Sequence, residues 1–276
     1  MATLYLIGTP LGNLEDMTKR AEKYLKELNV LFAEDTREIR KLLMILGIEA
    51  EHKKIFSYAS HNMKDANELA MTKLDEGSDI GFVSDRGMPC ISDPGSLLVK
   101  EAHLKGHKVI PVPGPSSVVT ALAASGVSER EFVFLSFLPT TEKAKHEKLL
   151  IAEKCQMPCV FFESPNRVEE TLKQLSIWFP TARLFYGREM TKMHETYAWL
   201  ELSHFDVSQV ILKGEFVFVL EFAKTPPVDD SYLSEMVRLR LLSEKEWSKK
   251  IAEKAQVSSS DVYNALQKEK RETNKT

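Results

Sequence analysis

Short apolar runs alternate with amphipathic stretches along the first part of the chain. The runs predict strands at Thr3 to Ile7, Val30 to Ala33, Lys54 to Ser57, Asp79 to Val83 and Lys108 to Val112. The amphipathic stretches predict helices at Thr18 to Leu28, Thr36 to Leu46, Met63 to Glu76 and Ser96 to Lys105. Gly47, Gly77 and Gly106 each stand just past a helical run, where the left-handed turn that closes a helix favours glycine. Regular alternation of this kind implies a sheet with helices on its faces.

After Pro113-Gly114-Pro115 the spacing changes. A small-residue helix at Val118 to Gly126 leads to strands near Glu131 to Phe137, Pro158 to Glu163, Ala182 to Arg188, Thr196 to Glu201 and Phe216 to Phe222. Helices fall at Glu142 to Lys154 and Arg167 to Trp178, with Pro165 and Pro180 marking turns beside the second. The break at Lys224-Thr225-Pro226-Pro227 is followed by a purely helical pattern, opened by the capping box Ser243-Glu244-Lys245-Glu246 and again at Ser258 to Asp261. That tail has the look of a small helix-turn-helix. The division expected is an α/β domain over 1–113, a second over 114–224, and a linker with a helical appendix over 225–276.

Composition narrows the function. The 276 residues are 43% apolar, enough for ordinary globular cores, and no apolar run approaches the ~20 residues of a membrane span. The N-terminus reads as a first strand and lacks the basic and apolar regions of a secretory signal, so a cytoplasmic protein is expected. Cys90, Cys155 and Cys159 form no CxxC pair and suggest neither a disulfide framework nor a metal site. A net charge of −3 gives no global attraction to nucleic acid, so any RNA contact must be local. Arg37, Arg40 and Lys41 share one helix, Lys143, Lys145 and Lys148 another, and Lys249, Lys250, Lys254 and the 268–275 lysines lie in the tail.

Chemistry concentrates in loops that follow strands. Ser84 to Gly95 holds two glycines and two prolines after the fourth strand, which fixes an irregular backbone that a ligand can approach closely. Pro113 to Ser117 feeds a helix N-terminus, where free N–H groups and serine hydroxyls can hold a carboxylate. Gly8 and Gly12 follow the first strand but do not supply GxGxxG, and there is no GxxxxGK[ST], which argues against dinucleotide and ATP-cradling folds.

These segments carry a family likeness. Gly8 to Asp16, Ala33-Glu34-Asp35-Thr36-Arg37, the Ser84 to Gly95 loop, Pro113 to Ser116, Phe161 to Arg167, Arg188 to Lys192 and Lys213 to Glu215 together resemble the tetrapyrrole methylase superfamily. The Glu-Asp-Thr-Arg and Glu-Ser-Pro-x-Arg segments resemble its 16S ribosomal RNA cytidine 2′-O-methyltransferases. The resemblance implies two α/β domains with a cofactor cleft between them, a homodimer, and S-adenosyl-L-methionine as methyl donor without a metal. It further implies small-subunit ribosomal RNA or the assembled small subunit as acceptor. Cofactor contacts are expected at Pro10, Gly87, Met88, Pro89, Ile91, Ser116, Ser117, Phe162, Gly214 and Glu215. A base that removes the hydroxyl proton is expected at Glu163, with Asp35 and Glu189 as alternatives; Asp35 could equally cap a helix, and Glu163 and Glu189 could pair with nearby cations. Asn13, Arg37, Arg86, Arg167, Arg188 and Lys192 are expected to meet the substrate. The chain departs from the family pattern at Arg86, where a small alanine is usual, at Met88 in place of threonine, and at Asn166 in place of histidine; Arg86 is expected to point outward to an RNA phosphate. A small-molecule methylase of the same fold and a non-catalytic RNA-associated module are the alternative functions.

Overall fold

The computed structural model describes residues 1–127, 131–223 and, in the tail, Glu246, Ser248, Lys249, Ala252, residues 258–264 and Gln267. Residues Met1–Ala223 form one compact unit and Lys224–Thr276 another.

The first unit begins with five strands, β1 (Thr3–Ile7), β2 (Val30–Ala33), β3 (Lys54–Ser57), β4 (Ile80–Val83) and β5 (Lys108–Val112). They form a wholly parallel sheet in the order β3-β2-β4-β1-β5. Every residue of β2 and β4 is buried, which explains their continuous apolar sequences: a central parallel strand is covered on both faces. One face packs Leu4, Phe32 and Phe82 against α3 (Met63–Asp75) and α4 (Ser96–Leu104). The other packs Ile7, Leu31 and Val83 against α1 (Lys19–Glu27) and α2 (Thr36–Ile45). Gly47, Gly77 and Gly106 are all left-handed and lie beyond the ends of α2, α3 and α4, as expected.

The second sheet is mixed. It contains β6 (Val133–Phe137), β7 (Cys159–Glu163), β8 (Arg183–Arg188), β9 (Thr196–Glu201) and β10 (Phe216–Glu221), in the order β6-β7-β10-β8-β9. Only β6 and β7 run parallel. Helices α6 (Glu142–Lys154) and α7 (Pro165–Trp178) cover one face and α5 (Ser117–Ser125) the other. Thus α5 follows β5 in the chain but packs on the second sheet, against Val160, Phe185 and Val219. Helix α7 starts at Pro165, two residues before the predicted start. Proline there lacks only an N–H that no intrahelical bond would use, and its fixed φ suits a first helical position.

The loops after β1, β4 and β5 gather at one end of the first sheet. Thr9 and Gly87 exchange backbone bonds of 2.9 and 3.1 Å, and the Gly8 N–H donates to the Val112 carbonyl at 3.1 Å. Gly8 and Gly114 meet backbone to backbone: a Cβ on Gly114 would lie 2.9 Å from Gly8 Cα, closer than real side chains approach. Gly114→Ala is therefore expected to force the two loops apart and lower stability by about 1–3 kcal/mol in urea unfolding.

In the second unit, the Ser258 carbonyl accepts from the Asp261 and Val262 N–H groups where a helix begins at Ser259. Of the capping box Ser243 to Glu246 only Glu246 is described, in a helix, and most of the remaining predicted helix-turn-helix lies outside the described residues. Among the described residues, no helix is long and apolar enough to cross a membrane.

Candidate active site

A cavity of about 410 Å3 lies between the Ser84 to Gly95 loop and the ends of β7, β10 and α5. Its apolar wall comes from Leu11, Met88, Phe137, Phe162, Met190 and Val217. Two helices present their N-termini to it. Ser116 precedes α5 and does not cap it, which leaves first-turn N–H groups of α5 for an anion, whereas α7 opens on Pro165, which has no N–H, and its Arg167 N–H donates to the Ser164 carbonyl at 2.9 Å. Loop geometry at the opposite side is demanding: Gly87, Cys90, Ser92 and Gly95 all have left-handed φ, and the Ser84 hydroxyl donates to the Gly87 carbonyl at 3.0 Å. A Cβ on Gly95 would sit 2.2 Å from the Phe82 ring, so only glycine fits where the loop enters α4.

Seven of the expected cofactor residues line this cavity: Gly87, Met88, Ile91, Ser116, Ser117, Phe162 and Glu215. The other three stand elsewhere. Pro10 lines a neighbouring cavity of about 240 Å3 floored by Ile39, Leu42 and Ile45. Pro89 is buried and outside the lining, and Gly214, with φ +103°, sets the turn that presents Glu215.

The three expected bases are committed to other bonds. Glu163, 2% exposed, accepts from Arg167 Nε at 2.7 Å, the Ser164 N–H at 2.9 Å and Thr171 Oγ1 at 2.7 Å. Asp35 caps α2 through the Arg37 N–H and is paired with the Arg37 guanidinium, whose hydrogen bonds pull its pKa down to about 2. Burial works to raise the Glu189 pKa, but the Glu215 N–H and Lys192 outweigh it and hold the carboxyl below its usual range. A carboxylate so held is a weak proton acceptor near neutrality.

The expected substrate cations are similarly engaged. Arg167 spans Glu163 and the Leu138 carbonyl, 2.9 Å from the latter, and Arg188 bonds the carbonyls of Lys213 and His194. Lys192 pairs with Glu189 and Glu215, and Arg86 pairs with Glu215 instead of standing free toward solvent. The Asn13 side chain caps the turn that follows it, and its N–H donates to Thr191 Oγ1 at 3.1 Å. Arg37 alone among these six keeps a side chain 87% exposed. The Lys143, Lys145 and Lys148 patch is dispersed by the fold: Lys145 is buried against Thr171 and Gln174, and Lys148 bonds the Leu135 carbonyl at 2.5 Å.

Sequence reasoning passed over Asp93. It lies in the cavity wall, and burial first, then the negative charges of Glu34 and Asp85, push its pKa up to about 7. The loop that holds it, Ser84 to Gly95, drew notice for its backbone chemistry, but nothing local in it reports the burial of Asp93 or the approach of Glu34 from the end of β2.

The two sheets share this cavity, and the fold matches that of diphthine synthase with a TM-score of 0.65 over 85% of this chain and 95% of that one, at 14% identity. Residues 3–205 match the family model for Tetrapyrrole (Corrin/Porphyrin) Methylases. The chain belongs to that family. Relatives include the ribosomal RNA small subunit methyltransferase I of Halalkalibacterium halodurans, 36% identical over 97% of this chain and 95% of its own length. The protein of the same name from Vibrio cholerae is 40% identical over 72% of this chain and 69% of its own length.

Proposed function

We propose that this protein transfers the methyl group of S-adenosyl-L-methionine to the 2′-hydroxyl of a cytidine in 16S ribosomal RNA, acting as a cytoplasmic homodimer on the small subunit or its RNA. The domains over 1–113 and 114–224 supply the two sides of the donor site. The observation that carries the reading is the 410 Å3 cavity, whose size lies within the ~300–1,000 Å3 of small-molecule sites and whose lining pairs an apolar wall with the open N-terminus of α5. Its residues suit the donor. First-turn N–H groups of α5 with Ser116 and Ser117 fit an amino-acid carboxylate, and Phe162 with Met88 and Val217 fits an adenine.

Bound there, the donor supplies a methyl group on a positively charged sulfur, so the chain has to orient the acceptor oxygen and receive its proton. Asp93 is the group suited to receive it. Its pKa near 7 lets it be ionised at working pH while remaining basic enough to accept a proton, a balance that Asp35 and Glu189 lack. Arg37, with Arg40 and Lys41 on the same exposed stretch of α2, would meet the RNA backbone beside the smaller cavity, which Lys41 also lines.

The test is transfer of labelled methyl from S-adenosyl-L-methionine to small subunits from cells lacking this protein, with the product mapped by mass spectrometry. One labelled cytidine 2′-oxygen is the expected result. Donor binding without any labelling of the subunit or its RNA would sink the ribosomal reading.

A further inference from the structure

An ion pair bridges the lining of the larger cavity. Arg86, on the loop after β4, pairs with Glu215, just ahead of β10, so the bond joins a loop of one sheet to a loop of the other. Both residues line the cavity. Glu215 is held on a prepared arm: its second carboxylate oxygen takes Lys192 Nζ at 2.9 Å, and its N–H donates to Glu189 Oε1 at 2.8 Å. Lys192 also reaches Glu189, at 3.0 Å. A Cβ on Gly214 would lie 2.6 Å from Glu189 Cγ, so the arm requires glycine at its turn.

Arg86 is placed differently. Its side chain is 45% exposed, and its loop makes a second contact across the cavity, Ser92 Oγ to Ser136 Oγ at 2.7 Å, with both serines in left-handed conformations. The loop thus reaches the second sheet through one exposed ion pair and one hydroxyl pair, both of which water can replace at small cost. A fixed acidic arm facing a half-exposed arginine side chain across the cavity, with weak bonds between the arginine's loop and the second sheet, is the arrangement of a latch.

We propose that Arg86 and Glu215 form a clasp over the donor site that slows the exchange of S-adenosyl-L-methionine, and that Lys192 and Glu189 position Glu215 for it. The clasp rests on the reading of this cavity as the donor site. It also gives Arg86, at the position where the chain leaves its family pattern, a role within the protein.

The test follows release of labelled S-adenosyl-L-methionine from the full chain into an excess of unlabelled donor, for the wild type, Arg86→Ala, Glu215→Ala and the double variant. Each single variant is expected to release donor about twofold to fivefold faster, the range of an exposed ion pair, and the double variant no faster than the quicker single one. Raising KCl to about 1 M should accelerate wild-type release and leave Arg86→Ala unchanged, because salt screens the pair. Release rates equal to wild type, or effects that multiply in the double variant, would overturn the clasp; multiplication would mean that each residue touches the donor separately. A wild-type protein that binds no donor at all would instead overturn the reading of the cavity, and the clasp with it.

Discussion

Asp93→Asn should lower methyl transfer by about a hundredfold or more while leaving donor affinity within a few-fold of wild type, since a positioned base typically contributes ~10²–10⁴ in rate. The substitution keeps the shape and replaces the basic carboxylate with an amide that takes no proton near neutrality. Wild-type activity should rise with pH and level off above about 7, the value to which burial and the charges of Glu34 and Asp85 push this carboxyl. The variant should lose that rise.

Stability should move the other way. In the unfolded chain Asp93 ionises near the ordinary carboxylate value of ~4, while the folded protein holds the proton up to about 7. Between those limits the folded state binds more protons, so its stability falls as pH rises, and the whole cost is present above about 7. With allowance for solvent screening of a half-buried group, that cost is about 2 kcal/mol. Asp93→Asn should accordingly be more stable than wild type at pH 8 and nearly equal to it at pH 4, by urea unfolding. An inactive, stabilised variant supports the role; transfer within threefold of wild type at pH 7 would remove Asp93 from the chemistry.

Glu163→Ala is expected to cost about 3–5 kcal/mol of stability, the penalty for leaving buried partners of a charge without it. The carboxylate serves Arg167, Ser164 and Thr171, and Lys145 Nζ lies 4.0 Å from it in a site where neither side chain is more than 2% exposed. Removing Glu163 leaves the Lys145 ammonium with Thr171 and Gln174 only, both neutral. Burial already lowers the Lys145 pKa, and Glu163 is the leading influence that holds it up. Addition of Lys145→Met should recover part of the loss, because the orphaned charge goes with it. If Glu163→Ala unfolds at the wild-type urea midpoint, the carboxylate is not the structural anchor described.

The secondary structure was largely legible because burial on both faces writes itself into the sequence. The runs Val30-Leu31-Phe32-Ala33 and Ile80-Gly81-Phe82-Val83 are apolar throughout for that reason, and both became central strands. The positions of charged side chains were far less legible. Arg167 and Thr171 lie four residues apart on one face of α7, and Glu163 ends the strand just before it, yet only the fold reveals that Lys145 of α6 enters the same group. Arg86 read as a surface cation because its partner Glu215 is 129 positions away. Asp93 went unassigned for a related reason: its pKa is raised first by burial, then by the charge of Glu34, and neither the burial nor Glu34, 59 positions away and set beside it by strand order, can be read from the loop's own sequence.

Helix α5 leaves the first sheet's last strand and spends its apolar face on the second sheet. Its opening turn, at Ser116 and Ser117, is therefore a seam as well as part of the cavity wall. Neither sheet of Met1–Ala223 can melt and leave the cavity whole, so unfolding of either one would be expected to abolish the proposed donor site.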